Sequence, residues 1–214
     1  MTLRLAVLAS GRGSNLQAIL DAIAAGKLDA QVVGVFSDKP DAQALQRVPE
    51  TLRWSRTAKS CGSREGFDAT LADAVESSTP DWIVCAGYMR ILSPTFIARF
   101  PDRILNIHPS LLPKYKGLHT HQRAIDAGDA EHGASVHLVT AELDAGQVLA
   151  QARVPVLPGD DAETLAARVL AVEHPLYLHV LRLLAAGRLR EQAGQLLLDG
   201  HPAYTPLSLE SAHS

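Results

Sequence analysis

Cysteine is almost missing from this chain: Cys61 lies in a polar stretch and Cys85 in an apolar, strand-like run, and there are no others. Two isolated thiols exclude a disulfide framework and suit a reducing cytoplasm. No apolar run reaches the length of a membrane span. The first, Leu5-Ala6-Val7-Leu8-Ala9, leads into a glycine loop and not a small-residue cleavage site, so it reads as a first strand. Basic excess is absent as well. A formal net charge of -3 gives no footprint for nucleic acid or an anionic membrane. Nine histidines invite a metal, yet there is no His-Glu-x-x-His and no Cys-x-x-Cys, and His119-Thr120-His121 stands alone. No metal is expected.

What remains is an ordinary globular composition, 47% hydrophobic and 20% charged, in 214 residues that suit one domain with a sizeable core. The first half alternates strand and helix signals, the pattern of a parallel sheet wrapped by helices. Strands are expected at 4–9, 31–36, 82–86 and 104–108. Helices are expected at 15–25, where Leu16, Ile19, Leu20 and Ile23 form one stripe, and at 63–75 through Phe67, Leu71 and Val75. Ser93-Pro94 is a helix start. After residue 108 the pattern changes to a loop, a short helix near 121–127, and longer strands at 135–139 and 147–156 that read as antiparallel additions. Asp160-Asp161-Ala162-Glu163 has the form of a capping box opening a helix to about residue 186, with Pro175 a kink or break. The polar tail beyond Pro202 reads as loosely held.

Chemistry concentrates in Asn106-Ile107-His108-Pro109-Ser110-Leu111-Leu112-Pro113. Two-residue spacing puts Asn106 and His108 on one face of a strand, and Pro109 stops the strand immediately afterwards. An amide and an imidazole are thereby offered at the carboxyl end of a strand, where open α/β sheets bind ligands. Glu142-Leu143-Asp144-Ala145-Gly146 offers a carboxylate from a loop, although Asp144 equally suits the capping of a turn before Gly146. Amide, imidazole and carboxylate together suit acyl-group transfer. Gly11-Arg12-Gly13-Ser14-Asn15-Leu16 joins the first strand to a helix. Leu16 breaks the dinucleotide fingerprint and no Gly-Lys-Ser/Thr follows, which leaves a monophosphate cradle or a plain tight turn. Arg64 and Arg90 read as site residues or solvated charges, and Glu173 faces a pocket or an edge. His132, His137, His179 and His201 read by default as packed, hydrogen-bonded histidines.

Taken together, these motifs resemble the phosphoribosylglycinamide formyltransferases of the folate-dependent formyltransferase family. The resemblance is carried by the glycine loop, Ala86-Gly87-Tyr88-Met89-Arg90-Ile91-Leu92, the Asn106–Pro113 segment, the Glu142–Gly146 segment, Gly117-Leu118-His119-Thr120-His121 and Glu173-His174. It implies a single Rossmann-like α/β domain over 1–202, mainly parallel with antiparallel strands in its C-terminal half, and a loosely ordered tail over 203–214. It implies formyl transfer from 10-formyltetrahydrofolate, as co-substrate, to the amine of glycinamide ribonucleotide. Asn106, His108 and Asp144 would be catalytic. Gly13, Ser14 and Asn15 would hold the phosphate and Glu173 the ribose. The folate would lie along Met89, Arg90, Ile91 and Leu92, against Asn106, Thr140, Ala141, Glu142, Leu143 and Asp144, with Arg64 near its outer part. Partners would be these two small molecules, with no nucleic acid and no membrane, in a monomer or homodimer. The stretch 48–61 and Gln147, where family members carry proline, depart from the pattern.

Three other readings compete. Methionyl-tRNA formyltransferase shares the motif around His108 but adds a nucleic-acid-binding domain, and formyltetrahydrofolate hydrolase adds an N-terminal regulatory domain. A phosphometabolite or folate sensor would keep the glycine loop without needing Asn106, His108 and Asp144.

Overall fold

The computed structural model describes residues 1–192, 195–202 and 206–209. β1 (Leu3–Leu8), β2 (Ala30–Ser37), β3 (Arg53–Ser55), β4 (Trp82–Cys85) and β5 (Ile104–His108) run parallel, and β6 (Glu131–Leu138) and β7 (Val148–Pro155) continue the sheet antiparallel. The helices are α1 (Ser14–Ala24), α2 (Arg64–Ser77), α3 (Pro94–Arg99), α4 (Thr120–Asp126) and α5 (Ala162–Ala185). Leu189–Gln192 (β8), Gln195–Leu198 (β9) and His201–Pro202 (β10) make a small antiparallel sheet, and Leu207–Leu209 (β11) adds a parallel edge beside β7. The large sheet has the order β11-β7-β6-β5-β4-β1-β2-β3. The expected α/β architecture, mainly parallel with antiparallel additions, is the one observed.

Strand alternation builds the core on both faces. Leu5 and Val7 of β1 point toward α1, α4 and α5, while Ala6 and Leu8 point toward α2 and α3. On β5, Leu105 and Ile107 go with the first group and Ile104 with the second, which leaves Asn106 and His108 on the α2/α3 face. Phe67, Leu71 and Val75, spaced four apart on α2, are fully buried against that face. Ser63 caps α2 through Gly66 N and Ser93 caps α3 through Phe96 N. Under the other face, the Tyr177 hydroxyl of α5 donates to the Cys85 and Leu105 carbonyls, 3.1 Å each, and so ties the helix to β4 and β5.

Four expectations are corrected. The capping box uses Asp161 with Thr164, not Asp160 with Glu163, because Arg168 and Leu157 N take the Asp160 carboxylate. Helix α5 runs through Pro175 unbroken: proline removes a single donor there, and Leu165, Val169, Leu176, Tyr177 and Val180 hold the helix to the sheet on both sides of it. Strand β6 begins at Glu131, four residues earlier than its apolar run suggests, as an inner strand paired to β7. In the tail, Leu207–Leu209 are paired with Ala150–Ala152 and are not loose, while 203–205 and 210–214 lie outside the described residues. Among the described residues no helix is long and apolar enough to cross a membrane.

Tyr177→Phe removes the buried hydroxyl and leaves two carbonyls without that donor. A loss of about 1–3 kcal/mol in urea unfolding is expected, with substrate KM values unchanged.

Candidate active site

Strand order reverses between β1 and β4, since β1 leads outward to β2 on one side and meets β4 on the other. A crevice opens past the carboxyl ends of strands at such a point. Ser10 fixes its geometry: Ser10 Oγ donates to Asp38 Oδ1 at 2.6 Å and accepts from Met89 N at 2.9 Å, joining the loops after β1, β2 and β4. The resulting cleft has a volume of about 640 Å³. Its lining includes Asn15, Met89, Arg90, Ile91, Leu92, Asn106, His108, Thr140, Ala141, Glu142, Leu143, Asp144 and Glu173, so residues scattered over nearly 160 positions converge. Gly13 and Ser14 stand beside Asn15 at the start of α1, and Arg64 reaches the wall from outside through Nη2 to Ile91 O at 3.0 Å.

At the base of the cleft Asn106, His108 and Asp144 meet. His108 Nε2–H donates to the Tyr115 carbonyl at 2.9 Å, and its Nδ1 faces Asp144 Oδ2 at 3.5 Å. A carbonyl oxygen only accepts, so Nε2 is the nitrogen that carries a proton and Nδ1 is the one turned to the carboxyl group. Asp144 is held from below by Gly117 N, 2.9 Å from Oδ2. Its φ of 46° is left-handed, and a Cβ at Gly146 would run into the Leu138 carbonyl oxygen. The turn is thus shaped by backbone contacts, which leaves the Asp144 carboxylate to the cleft and removes the turn-capping alternative.

His137 is the residue that sequence reasoning missed. It sits opposite Asn106 in the β5–β6 register, on the same face, at a register shift in the β6–β7 ladder. His137 Nδ1–H donates to Leu138 O at 2.8 Å, so Nε2 accepts from Asn106 Nδ2 at 3.2 Å. Burial lowers the His137 pKa and keeps the ring neutral, as this arrangement requires. Asn106 is thereby oriented with one N–H on His137 and, among the described residues, no partner on the other. The only advance signal was a histidine at a period-two position in β6, legible once the pairing with β5 was known.

The other end of the cleft lies at the start of α1. Helix α1 has no acidic residue in its first turn and no side-chain cap, so its leading amides remain available. Gly13 has φ 72°, and a Cβ there would lie 2.7 Å from the Ala44 Cβ. That glycine is required by packing of the 43–47 turn, whatever ligand it meets. Asn15 Nδ2 donates to Glu173 Oε2 at 3.4 Å, so Glu173 faces the pocket and not the edge, and burial raises its pKa. Among the described residues no three His, Cys, Asp or Glu side chains are grouped to hold a metal.

A family model described as formyl transferase matches residues 3–181. The chain belongs to the formyl transferase family. It is 48% identical over 200 residues to a phosphoribosylglycinamide formyltransferase of Escherichia coli K12, covering 92% of this chain and 94% of that one. A solved phosphoribosylglycinamide formyltransferase from Coxiella burnetii is 44% identical with a TM-score of 0.90, over 98% of this chain and 100% of the other. A formyltetrahydrofolate deformylase from Pseudomonas syringae is similar at 26% identity and TM-score 0.80, over 92% of this chain and 66% of that one. In this chain Asn106, His108 and Asp144 line one cleft.

His132 is buried against His121 of α4, ring centroids 5.2 Å apart, and burial together with His121 pushes its pKa down to about 4. Unfolded, it titrates near 6.5. The native state therefore binds fewer protons, and stability is full above about pH 6.5 and is lost as pH falls toward 4, on the order of 3 kcal/mol. His132→Gln should remove the largest single part of this slope when chemical denaturation is repeated at pH 7, 5.5 and 4.

Proposed function

We propose that the chain transfers the formyl group of 10-formyltetrahydrofolate to the amine of 5′-phosphoribosylglycinamide, giving N-formylglycinamide ribonucleotide and tetrahydrofolate in cytoplasmic purine synthesis. The convergence of Asn106, His108 and Asp144 between an anion-accepting helix end and an apolar mouth carries this reading. The two ends suit the two substrates. Amides of Gly13, Ser14 and Asn15 face a phosphate, and Glu173 accepts from ribose hydroxyls. Among the described residues Asn15 Oδ1 is buried without a partner, an acceptor that a ligand hydroxyl would satisfy. Met89, Ile91, Leu118 and Leu143 expose apolar surface at the other end, where an aromatic ring system would bury it. Arg90 Nε and Tyr88 OH are likewise buried without partners on that wall. The cleft volume is that of a small-molecule site.

The chemistry follows from the donors. The amine attacks the formyl carbon, a C–N bond forms, and negative charge gathers on the formyl oxygen. The other N–H of Asn106, oriented by His137, donates to that oxygen, and protonated His108 donates a second hydrogen bond or the proton itself. Asp144 balances the imidazolium and takes the proton that the amine must lose. As the intermediate collapses, the carbonyl re-forms, any proton lent by His108 returns to it, the bond to the folate nitrogen breaks, and that nitrogen gains the proton that Asp144 took from the amine. One chain supplies every group named, so a monomer or a homodimer serves equally.

Purified protein given 10-formyltetrahydrofolate should formylate the ribonucleotide and leave water and amino sugars unmodified. Hydrolysis to formate as the main product would place the chain with the deformylases instead. Asn106→Asp removes the donor and sets like charge beside the oxyanion, so kcat should fall about 10²–10³-fold. Near-normal turnover of that variant would remove Asn106 from the mechanism.

A further inference from the structure

Helix α4 ends on a left-handed glycine, Gly128 at φ 66°. Gly128 N–H bonds to Ile125 O at 2.9 Å and Asp129 N–H to Ala124 O at 3.1 Å, which fixes the backbone of Asp129. The Asp129 carboxylate then accepts from the Tyr115 hydroxyl at 2.7 Å and from Lys114 Nζ at 2.9 and 3.0 Å. These bonds, the tyrosine hydroxyl first, hold the carboxyl below the usual carboxylate range. Asp129 has 17% of its side chain exposed and Lys114 60%, so the ammonium stands in water and its pairing contributes little.

Tyr115 is the residue whose carbonyl receives His108 Nε2–H, at 2.9 Å. Its φ of 57° is left-handed, a conformation that a non-glycine residue keeps only when its surroundings impose it. The side chain supplies that restraint. Its ring meets the Arg123 guanidinium at 5.1 Å and the His132 ring at 6.1 Å, and its hydroxyl ends on Asp129. Neither Tyr115 nor Asp129 is among the residues lining the cleft. A line of contacts therefore runs from the C-terminal end of α4 through Tyr115 to the His108 imidazole, outside the space open to substrates. The part of the loop that does line the cleft is held separately. Gly117 N–H donates to Asp144 Oδ2 at 2.9 Å, and Arg123 Nη1 donates to Lys116 O at 2.7 Å.

We propose that Asp129 is a positioning residue for His108, acting at one remove by fixing the Tyr115 carbonyl. The kinetic part of this inference rests on the formyl-transfer reading above. Loss of the Asp129 carboxylate frees Tyr115 and leaves Gly117 and Leu118 in place, so the chemical step suffers and substrate binding does not.

The test compares Asp129→Ala, Asp129→Asn and Tyr115→Phe with the native chain, each fold verified by thermal denaturation. Asp129→Ala should lower kcat about 10–100-fold and Tyr115→Phe by less, with both substrate KM values within about twofold of native. Asp129→Asn keeps an oxygen for the tyrosine hydroxyl and should recover most of the lost rate. In a His108→Ala background Asp129→Ala should cost nothing further, because no imidazole is left to position. Tyr115→Phe leaves the end of α4 intact and repeats this cycle if the alanine variant does not fold. Without substrates, the native His108 Nε2–H should give a resolved proton signal by NMR, assigned by its loss in His108→Ala. Asp129→Ala should broaden that signal through exchange with water, and Asp129→Asn should retain it. Rate losses that multiply with His108→Ala, a loss confined to KM or Tm, or an unchanged His108 signal in Asp129→Ala overturns the positioning role. Absence of turnover by the native chain rejects the transfer reading instead, and the proton signal alone then decides the role of Asp129.

Discussion

A carboxylate with 8% of its side chain exposed sits between two imidazoles and one backbone amide, and the loops around the cleft are arranged to make that possible. A buried polar group costs free energy unless it is partnered, so the placement of the Asp144 carboxyl depends on the groups arranged around it. Gly117 N comes from the loop after β5, His108 from the end of β5, and His137 from β6. Bringing these together requires the 140–146 loop to fold back over the sheet and meet the 115–117 loop. Lys116 and Glu142 join the same two loops at the surface, 3.0 Å apart. The inner contact sets the geometry, and the exposed pair adds little.

Three of the six left-handed non-glycine residues among the described residues lie where those loops turn. Tyr115, His119 and Asp144 are non-glycine residues with φ of 57°, 57° and 46°, each costing on the order of 1 kcal/mol. Tyr115 presents its carbonyl to His108, His119 begins α4 beside the cleft, and Asp144 carries the carboxylate. The strain is outweighed by the rigid frame beneath: Ser135 Oγ donates to Ser110 O and accepts from Leu112 N, which pins the Pro109–Pro113 segment to β6. Change of direction in the sheet at β5 matters here. Because β6 runs antiparallel, His137 lands directly opposite Asn106, a placement that a parallel crossover through a helix would have left to chance.

Much of this was legible in the residues, for physical reasons that differ by element. Asn106 and His108 could be read because a two-residue period followed by proline leaves few geometries open. Helices α1 and α2 could be read from their apolar stripes. His137 could not, since its role exists only across a ladder whose register the chain does not state locally. Strands β3 and β11 span three residues each, too short for periodicity to register. The choice between Asp160 and Asp161 as the cap turned on Arg168, eight residues away from Asp160, which a local capping pattern does not include. Gly13 was legible as a glycine that the backbone needs, yet the reason, close packing against Ala44, lies thirty-one positions along the chain.

The central claim is that Asp144 and His108 act as one unit in the proposed transfer. Single-turnover rates for His108→Ala, Asp144→Asn and the double variant, with each fold verified by thermal denaturation, measure this directly. The account predicts that each single change is severe, about 10²–10⁴-fold, and that the double variant is scarcely slower than His108→Ala alone. Rate losses that multiply in the double variant would show that the carboxylate and the imidazole work independently.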